Sequence, residues 1–351
     1  MVKRFLILLF LCFLLSSCKT QYKIIHNGEI SELSYKSLPY NELITSVENV
    51  VNAGRNHYRK KAIVKRLEAF GLKESIRQER IDWLSVQKNI IVDISGKSDS
   101  LIYIIAHYDK TDVSPLKLAS VLTSGLLDPL ISWSYTSQGA IDNATGVAVA
   151  MQLIKSLREK DTHYSYRLLL TGSEESGLRG SRAHVARLTL KEFSKIKFVI
   201  NVDVVGVKGK QNCIYKLSDD DLDKKVILSA GLEGLDLGIG KMPLGASSDF
   251  LPFKKTSFGL DFARSFAFNL SGSILPQRSY FTKKKSTKVI NFSACELLDF
   301  GDTVSDFTLL TVGSFHGFRD NIKKVDPQKL FEMYQVVDLF LQAEEKSISL
   351  D

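Results

Sequence analysis

Leu101-Ile102-Tyr103-Ile104-Ile105-Ala106-His107-Tyr108-Asp109 is the stretch on which the fold turns. Its first six residues are apolar without interruption, which suits a strand buried on both faces. The run then stops at a histidine and an aspartate. Just before it, Asn89 to Asp93 also reads as strand, set off by the turn Gly96-Lys97-Ser98. After it, strand and helix signals alternate. Gly146 to Leu157 reads as helix, Tyr166 to Leu170 as strand, Ser181 to Leu188 as helix, Phe198 to Val202 as strand and Leu222 to Ala230 as helix. That alternation predicts an α/β fold in which a mostly parallel sheet is covered by helices on both sides. Farther out, Leu43, Val47, Val50, Val51, Ile63, Val64, Leu67 and Phe70 recur at helical spacing between Asn41 and Leu72, with Gly71 as C-cap. Pro327 to Glu345 predicts a closing helix, with Asp326-Pro327 at its first turn. No repeat, low-complexity tract or composition shift divides residues 41–351, so a single catalytic-sized domain is expected there.

The amino terminus reads differently. Lys3 and Arg4 precede an apolar run from Phe5 to Leu15 that is too short to span a bilayer as a helix, and this predicts a signal peptide over residues 1–17. Leu15-Ser16-Ser17-Cys18 resembles the bacterial lipobox. The resemblance implies cleavage before Cys18, acylation of that cysteine, and a tether over residues 18–40. Several acyl chains would hold the protein on a lipid bilayer. The expected location is then the bacterial cell envelope, facing periplasm or exterior; an ordinary secretory signal with an incidental cysteine is the alternative. The composition, 44% hydrophobic and 25% charged with a formal charge of +8, is ordinary for a globular chain with a sizeable core. Basic runs around Arg59, Lys60 and Lys61 and at Lys283-Lys284-Lys285 are read as solvated faces, and nucleic-acid binding is not expected. Beyond the leader and Cys18, the cysteines are Cys213 and Cys295, which suit either one disulfide or two buried thiols. No CxxC spacing points to a thiolate metal site.

Three expected strands end in polar residues. LIYIIA runs into His107 and Asp109, YRLLL into Thr171-Gly172-Ser173-Glu174-Glu175, and FVINV into Asp203. In open α/β sheets ligands bind outside the carboxyl ends of the strands, so imidazole and carboxylates are delivered to one crevice. His107 and Asp109 are two apart, which in extended backbone puts both on one side. A metal-bound imidazole commonly gives its other N–H to an oxygen acceptor, a role open to Asp109. Adjacent glutamates point in different directions, so one of Glu174 and Glu175 can bind metal while the other stays free as a base. Asp142 opens Asp-Asn-Ala-Thr-Gly ahead of a helix, and is either its N-cap or a carboxylate shared by two cations. His316, in Ser-Phe-His-Gly-Phe-Arg-Asp-Asn, offers a late nitrogen ligand. His26, His57 and His163 read as surface or local structure, and His184 as a packing residue inside a helix. The connection from His107 to Asp142 contains Leu118 to Trp133, read equally as a wall of the site or as a helix on the core.

IIAHYDKTD, GAIDNATGVA, TGSEESGLRGS, VINVDVVG and FHGFRDNIKKVDP together resemble the successive motifs of the zinc aminopeptidase family that also includes the glutaminyl cyclases. The resemblance runs from about Val50 to about Val337 and is looser at the last motif, where this sequence has His316-Gly317. Ser248-Asp249-Phe250-Leu251-Pro252-Phe253 is similar to that family's Ser-Asp pocket segment. The resemblance implies a three-layer α/β/α sandwich around a mixed, mostly parallel eight-stranded sheet. It implies two Zn2+ per chain, one held by His107 and Asp203, the other by Glu175 and His316, with Asp142 between them. Asp109 would orient His107, and Glu174 would be the general base. The implied activity is removal of N-terminal residues from peptides with a free amino terminus. A single-zinc glutaminyl cyclase and a peptide- or metal-binding lipoprotein without turnover are the alternatives.

Overall fold

Continuous apolar strands place the centre of this molecule between two helical layers. The computed structural model describes residues 38–82, 85–110, 137–217, 221–240, 248–254, 286–295 and 320–347. The leader, Cys18, His26, Leu118 to Trp133, Lys283 to Lys285 and His316 lie outside those residues. Eight strands form one sheet: β1 (Ile76–Arg80), β2 (Lys88–Ile94), β3 (Leu101–His107), β4 (Ser165–Thr171), β5 (Ile196–Val202), β6 (Asn212–Tyr215), β7 (Gly238–Gly240) and β8 (Lys288–Ala294). Their order is β1-β2-β4-β3-β5-β8-β6-β7. The four central strands, β4, β3, β5 and β8, run parallel. β1, β2 and β4 pair antiparallel on one flank, and β6 pairs antiparallel with β8 on the other. The sheet is mixed with a parallel centre, as expected.

Alternation along each central strand separates two apolar layers. Ile102, Ile104 and Ala106 of β3, Leu168 and Leu170 of β4, and Ile200 and Val202 of β5 face one side. That side is covered by α1 (Leu38–Asn52), α2 (Asn56–Ala69), α3 (Thr145–Arg158), α6 (Asp221–Leu232) and α7 (Pro327–Ser347). Tyr103, Ile105, Leu169 and Val199 face the other side. They meet Val185 of α4 (Arg179–Arg187), Phe193 of α5 (Leu190–Ser194), and Phe250 and Phe253. Each such fully buried aliphatic side chain contributes about 1.5–3 kcal/mol of transfer free energy.

Several local expectations are refined. The helical pattern from Asn41 to Leu72 is two helices, broken where Gly54 takes φ +74. The first begins at Leu38. The basic run after His57 is not a solvated face throughout: Arg59 is fully buried and Lys60 is 8% exposed, because α2 turns that side inward. Cys213 and Cys295 form a disulfide with Cα atoms 5.2 Å apart, tying β6 to the end of β8. His184 is buried in α4, in keeping with the packing role read for it.

Candidate metal centre

The carboxyl ends of β3, β4 and β5 lie side by side, with β3 in the middle. His107 is the last residue of β3, Glu174 and Glu175 follow β4, and Asp203 follows β5. Asp142 reaches the same end from the segment Ala140–Ala144 ahead of α3, in which Asp142 and Asn143 have non-helical backbone angles. That helix comes unusually close to β5, because a Cβ on Gly146 would lie 2.3 Å from the Val202 carbonyl and from Asn143 Oδ1. Asn143 fills the gap with its amide. Its Nδ2 donates to the Val202 carbonyl at 3.0 Å, while its Oδ1 accepts from the N–H of Gly146 at 3.0 Å and of Val204 at 3.3 Å. The residues on either side, Asp142 and Asp203, are thereby brought to a common point.

His107 is 2% exposed and lies at that point. Its Nδ1 is 3.1 Å from the backbone carbonyl of Asp109 and 3.7 Å from that residue's Oδ1. With the proton on Nδ1 donated to the carbonyl, Nε2 presents its lone pair outward. Nε2 lies 2.9 Å from Asp142 Oδ1 and 3.3 Å from Asp203 Oδ1. Donor atoms of His107, Asp142 and Asp203 all lie within 4.8 Å of one another, a spacing that can hold a metal ion. Imidazole nitrogen with carboxylate oxygen is a donor set suited to zinc.

The Asp109 carboxylate has a second attachment that its spacing from His107 did not suggest. Oδ1 accepts the N–H of Glu174 at 3.1 Å and Oδ2 that of Glu175 at 3.2 Å. Asp109 therefore fixes the turn leaving β4. The same turn is held by β2 and the residues before it, where Gln87 accepts the N–H of Ser173 at 3.2 Å and Asn89 that of Gly172 at 3.3 Å. Asp203 is steered from outside: Ser248 donates its hydroxyl to Oδ2 at 2.6 Å. Ser248 in turn accepts from Asn201, which also donates to Asn291 at 2.7 Å. Asp249, beside Ser248, is fully buried and accepts from the Thr171 hydroxyl.

Electrostatics follow from this crowding. Burial alone would lower the His107 pKa, but Glu174, Asp203 and Asp142 outweigh it and hold the imidazole well above its usual range. Burial, with Glu175, Asp249 and Asp203, holds the Glu174 carboxyl well above the ordinary carboxylate range against the pull of His107. Burial is also the largest cause that pushes Asp249 up to about 6, opposed by His107 and by hydrogen bonds from Ser181 and Thr171. Behind the site, the buried Arg59 donates from Nε to the Tyr108 carbonyl at 2.6 Å and from its two terminal nitrogens to Gln138 and Gly139 carbonyls at 2.9 Å. Burial lowers its pKa to about 10 while Asp320, Asp109, Asp142 and Glu175 resist the fall. So many converging acids favour a site completed by divalent cations.

Sequence reasoning named His107, Asp109, Asp142, Glu174, Glu175, Asp203 and His316; the first six lie at one end of the sheet, with only His107, Asp142 and Asp203 forming the close donor group among the described residues, and His316 lies outside those residues. It overlooked Arg59, Asn143, Asn201 and Asp320. Asn143 had a local signal, since it follows Asp142 at a helix start; Asn201 and Asp320 fall inside the quoted motifs VINVDVVG and FHGFRDNIKKVDP, and Arg59 had no such marker.

A profile of peptidase family M28 matches residues 89–341. Aminopeptidase YwaD of Bacillus subtilis (strain 168) is 28% identical over 170 residues, which is 48% of this chain and 32% of that protein. The chain thus spans about a third of that curated relative's length. Among solved structures, an Acidobacteriales bacterium glutaminyl cyclase superposes with a TM-score of 0.61 at 14% identity, covering 93% of this chain and 99% of that one. A leucine aminopeptidase precursor from Bacteroides thetaiotaomicron superposes with 0.56 at 16% identity, covering 86% and 96%. At these identities the likeness is one of fold.

Proposed function

The chain belongs to peptidase family M28, and from that premise we propose that it is a zinc-dependent aminopeptidase acting on peptides with a free amino terminus. One observation carries this reading: a buried imidazole and two carboxylates from three separate elements converge within 4.8 Å at the carboxyl end of the parallel strands. In the proposed arrangement His107, Asp142 and Asp203 would hold one zinc, and Glu175 and His316, with Asp142, a second. Zinc there would supply Lewis acidity for the scissile carbonyl and would lower the pKa of a water towards neutral.

The rest of the chemistry belongs to the chain. Glu174 accepts the proton of the attacking water and returns it to the leaving amine. Asp109 keeps Glu174 and Glu175 in place through their amides and fixes the His107 ring through its carbonyl. Ser248 keeps Asp203 from turning away.

The test is a panel of aminoacyl anilides assayed with and without a chelator, alongside a zinc count. Hydrolysis that is lost on chelation and restored by zinc, with two zinc per chain, supports the reading. Turnover insensitive to chelation would sink it. One zinc per chain, with ring closure of N-terminal glutamine and no addition of water, would replace it by the cyclase.

We further propose that the mature protein is anchored in the cell envelope by an acylated Cys18. The Cys213–Cys295 disulfide supports an exported location, because such bonds persist in oxidising compartments. Cys18→Ala should move the protein from the membrane to the soluble fraction. Unchanged fractionation would exclude the anchor.

A further inference from the structure

Asp320 is 1% exposed and lies across the turn that presents Asp142. Its Oδ1 accepts the N–H of Ile141 at 2.7 Å and that of Asp142 at 3.3 Å. Its Oδ2 accepts the Ser137 hydroxyl at 2.7 Å, and that hydroxyl accepts the Gly139 N–H at 2.9 Å. The backbone is joined as well: the Asp320 carbonyl accepts the N–H of Gln138 at 3.0 Å, and Gln138 Oε1 accepts the N–H of Ile322 at 2.9 Å. Arg59 grips the carbonyls of Gln138 and Gly139 in the same turn. The turn is therefore held both by its amides and by its carbonyls. Rotation of the peptide before Asp142 would break the first grip, and the Asp142 carboxylate would swing away from His107 Nε2.

We infer that Asp320 is a positioning residue for the metal centre: by clamping the amides of Ile141 and Asp142 it sets the direction of the Asp142 carboxylate, and so the zinc affinity, without touching the metal. A buried carboxylate that accepts three hydrogen bonds is satisfied where it stands and needs no cation of its own. The inference rests on the zinc reading given above.

Zinc affinity of the metal-stripped full chain is measured by competition with a chromogenic chelator, for wild type, Asp320→Ala, Asp320→Asn and Val337→Ala. Partners behind a metal ligand typically govern affinity by about 10–100-fold. Asp320→Ala is expected to weaken zinc binding by that order, with turnover regained at high zinc. Asp320→Asn keeps an oxygen for the two amides and is expected to fall much closer to wild type. Val337→Ala trims the buried core of α7 away from the site and is expected to lower the Tm of the metal-free chain while leaving zinc affinity unchanged. If Asp320→Ala lowers that Tm as Val337→Ala does and binds zinc like wild type, Asp320 is structural and the inference falls alone. If wild type itself fails to bind zinc, the zinc reading falls and takes the inference with it.

Discussion

Two buried histidines, one at the end of β3 and the other in α4, are told apart only by their surroundings. His107 is 2% exposed and His184 is 3% exposed. His184 is closed: Nε2 meets the Tyr103 hydroxyl at 3.1 Å and Nδ1 meets Glu79 at 3.1 Å. Tyr103 is further held by Arg167 at 3.1 Å, and Arg167 pairs with Asp93. Each nitrogen there has one suitable partner of the complementary kind. His107 is open by contrast, with one nitrogen on a carbonyl and the other directed at two carboxylates from different elements. A histidine that completes its own hydrogen bonding stabilises a fold. One whose lone pair is aimed at converging acids is arranged for a cation.

The contrast can be broken most decisively at the acid beside His107. Glu174→Gln should bind zinc like wild type and lose roughly 10²–10⁴-fold in turnover, the usual contribution of a general base; retained activity would remove Glu174 from the chemistry. Next, His107→Ala should remove at least one bound zinc, whereas His184→Ala should keep zinc binding and cost about 1–3 kcal/mol in denaturant unfolding, since Tyr103 and Glu79 would each lose a buried partner. Zinc lost from both variants, or from neither, would erase the distinction. A smaller effect is expected from pH on the metal-free chain. His107 has its folded pKa raised, so its contribution to stability is complete below the unfolded value near 6.5 and is lost as pH rises through the folded value. Zinc binding should then release a proton, visible as a buffer-dependent heat in calorimetry. The smallest effect lies at Glu79. Burial would raise its pKa, but His184 and Arg187 outweigh burial and lower it. Its contribution is therefore present above the unfolded value near 4.3 and lost as acid carries the pH through the folded one. His184→Ala should flatten that acid limb of the stability curve, and an unchanged limb would show that the pair adds nothing.

What was legible in the sequence divides along similar lines. LIYIIA, YRLLL and FVINV declare themselves because strands buried on both faces are dominated by apolar residues, and the polar residue after each marks a strand end. Ile76–Arg80, reading IRQER, gave no such signal, since an edge strand is half wet and carries charges that discourage pairing with another chain. Asn212–Tyr215 and Gly238–Gly240 are too short to show a period. β8 hides its identity behind Asn291 and Ser293, whose polar groups are satisfied by Asn201 and by the Val204 carbonyl. In the site, residues carried on strand ends were visible, whereas their supports were not. Arg59 sits in a basic run that reads as a solvated helix, and nothing local announces that carbonyls of Tyr108, Gln138 and Gly139 close on its guanidinium. Asp320 is hidden for the same reason, because the amides it accepts lie in a distant part of the chain. Local pattern reports what a residue is; its partners are decided by topology.

Gly146 acts as a gauge block in this molecule. The contact that its missing side chain permits lies between the residue before Asp203 and the residue after Asp142. A single added methyl group would press on the Val202 carbonyl and on Asn143 together, and so wedge the two acids apart. The width of the cradle, and with it the radius of the cation that the proposed centre would take, thus depends on an atom that the chain omits. A redesign aimed at a larger ion would start there and leave the ligands alone.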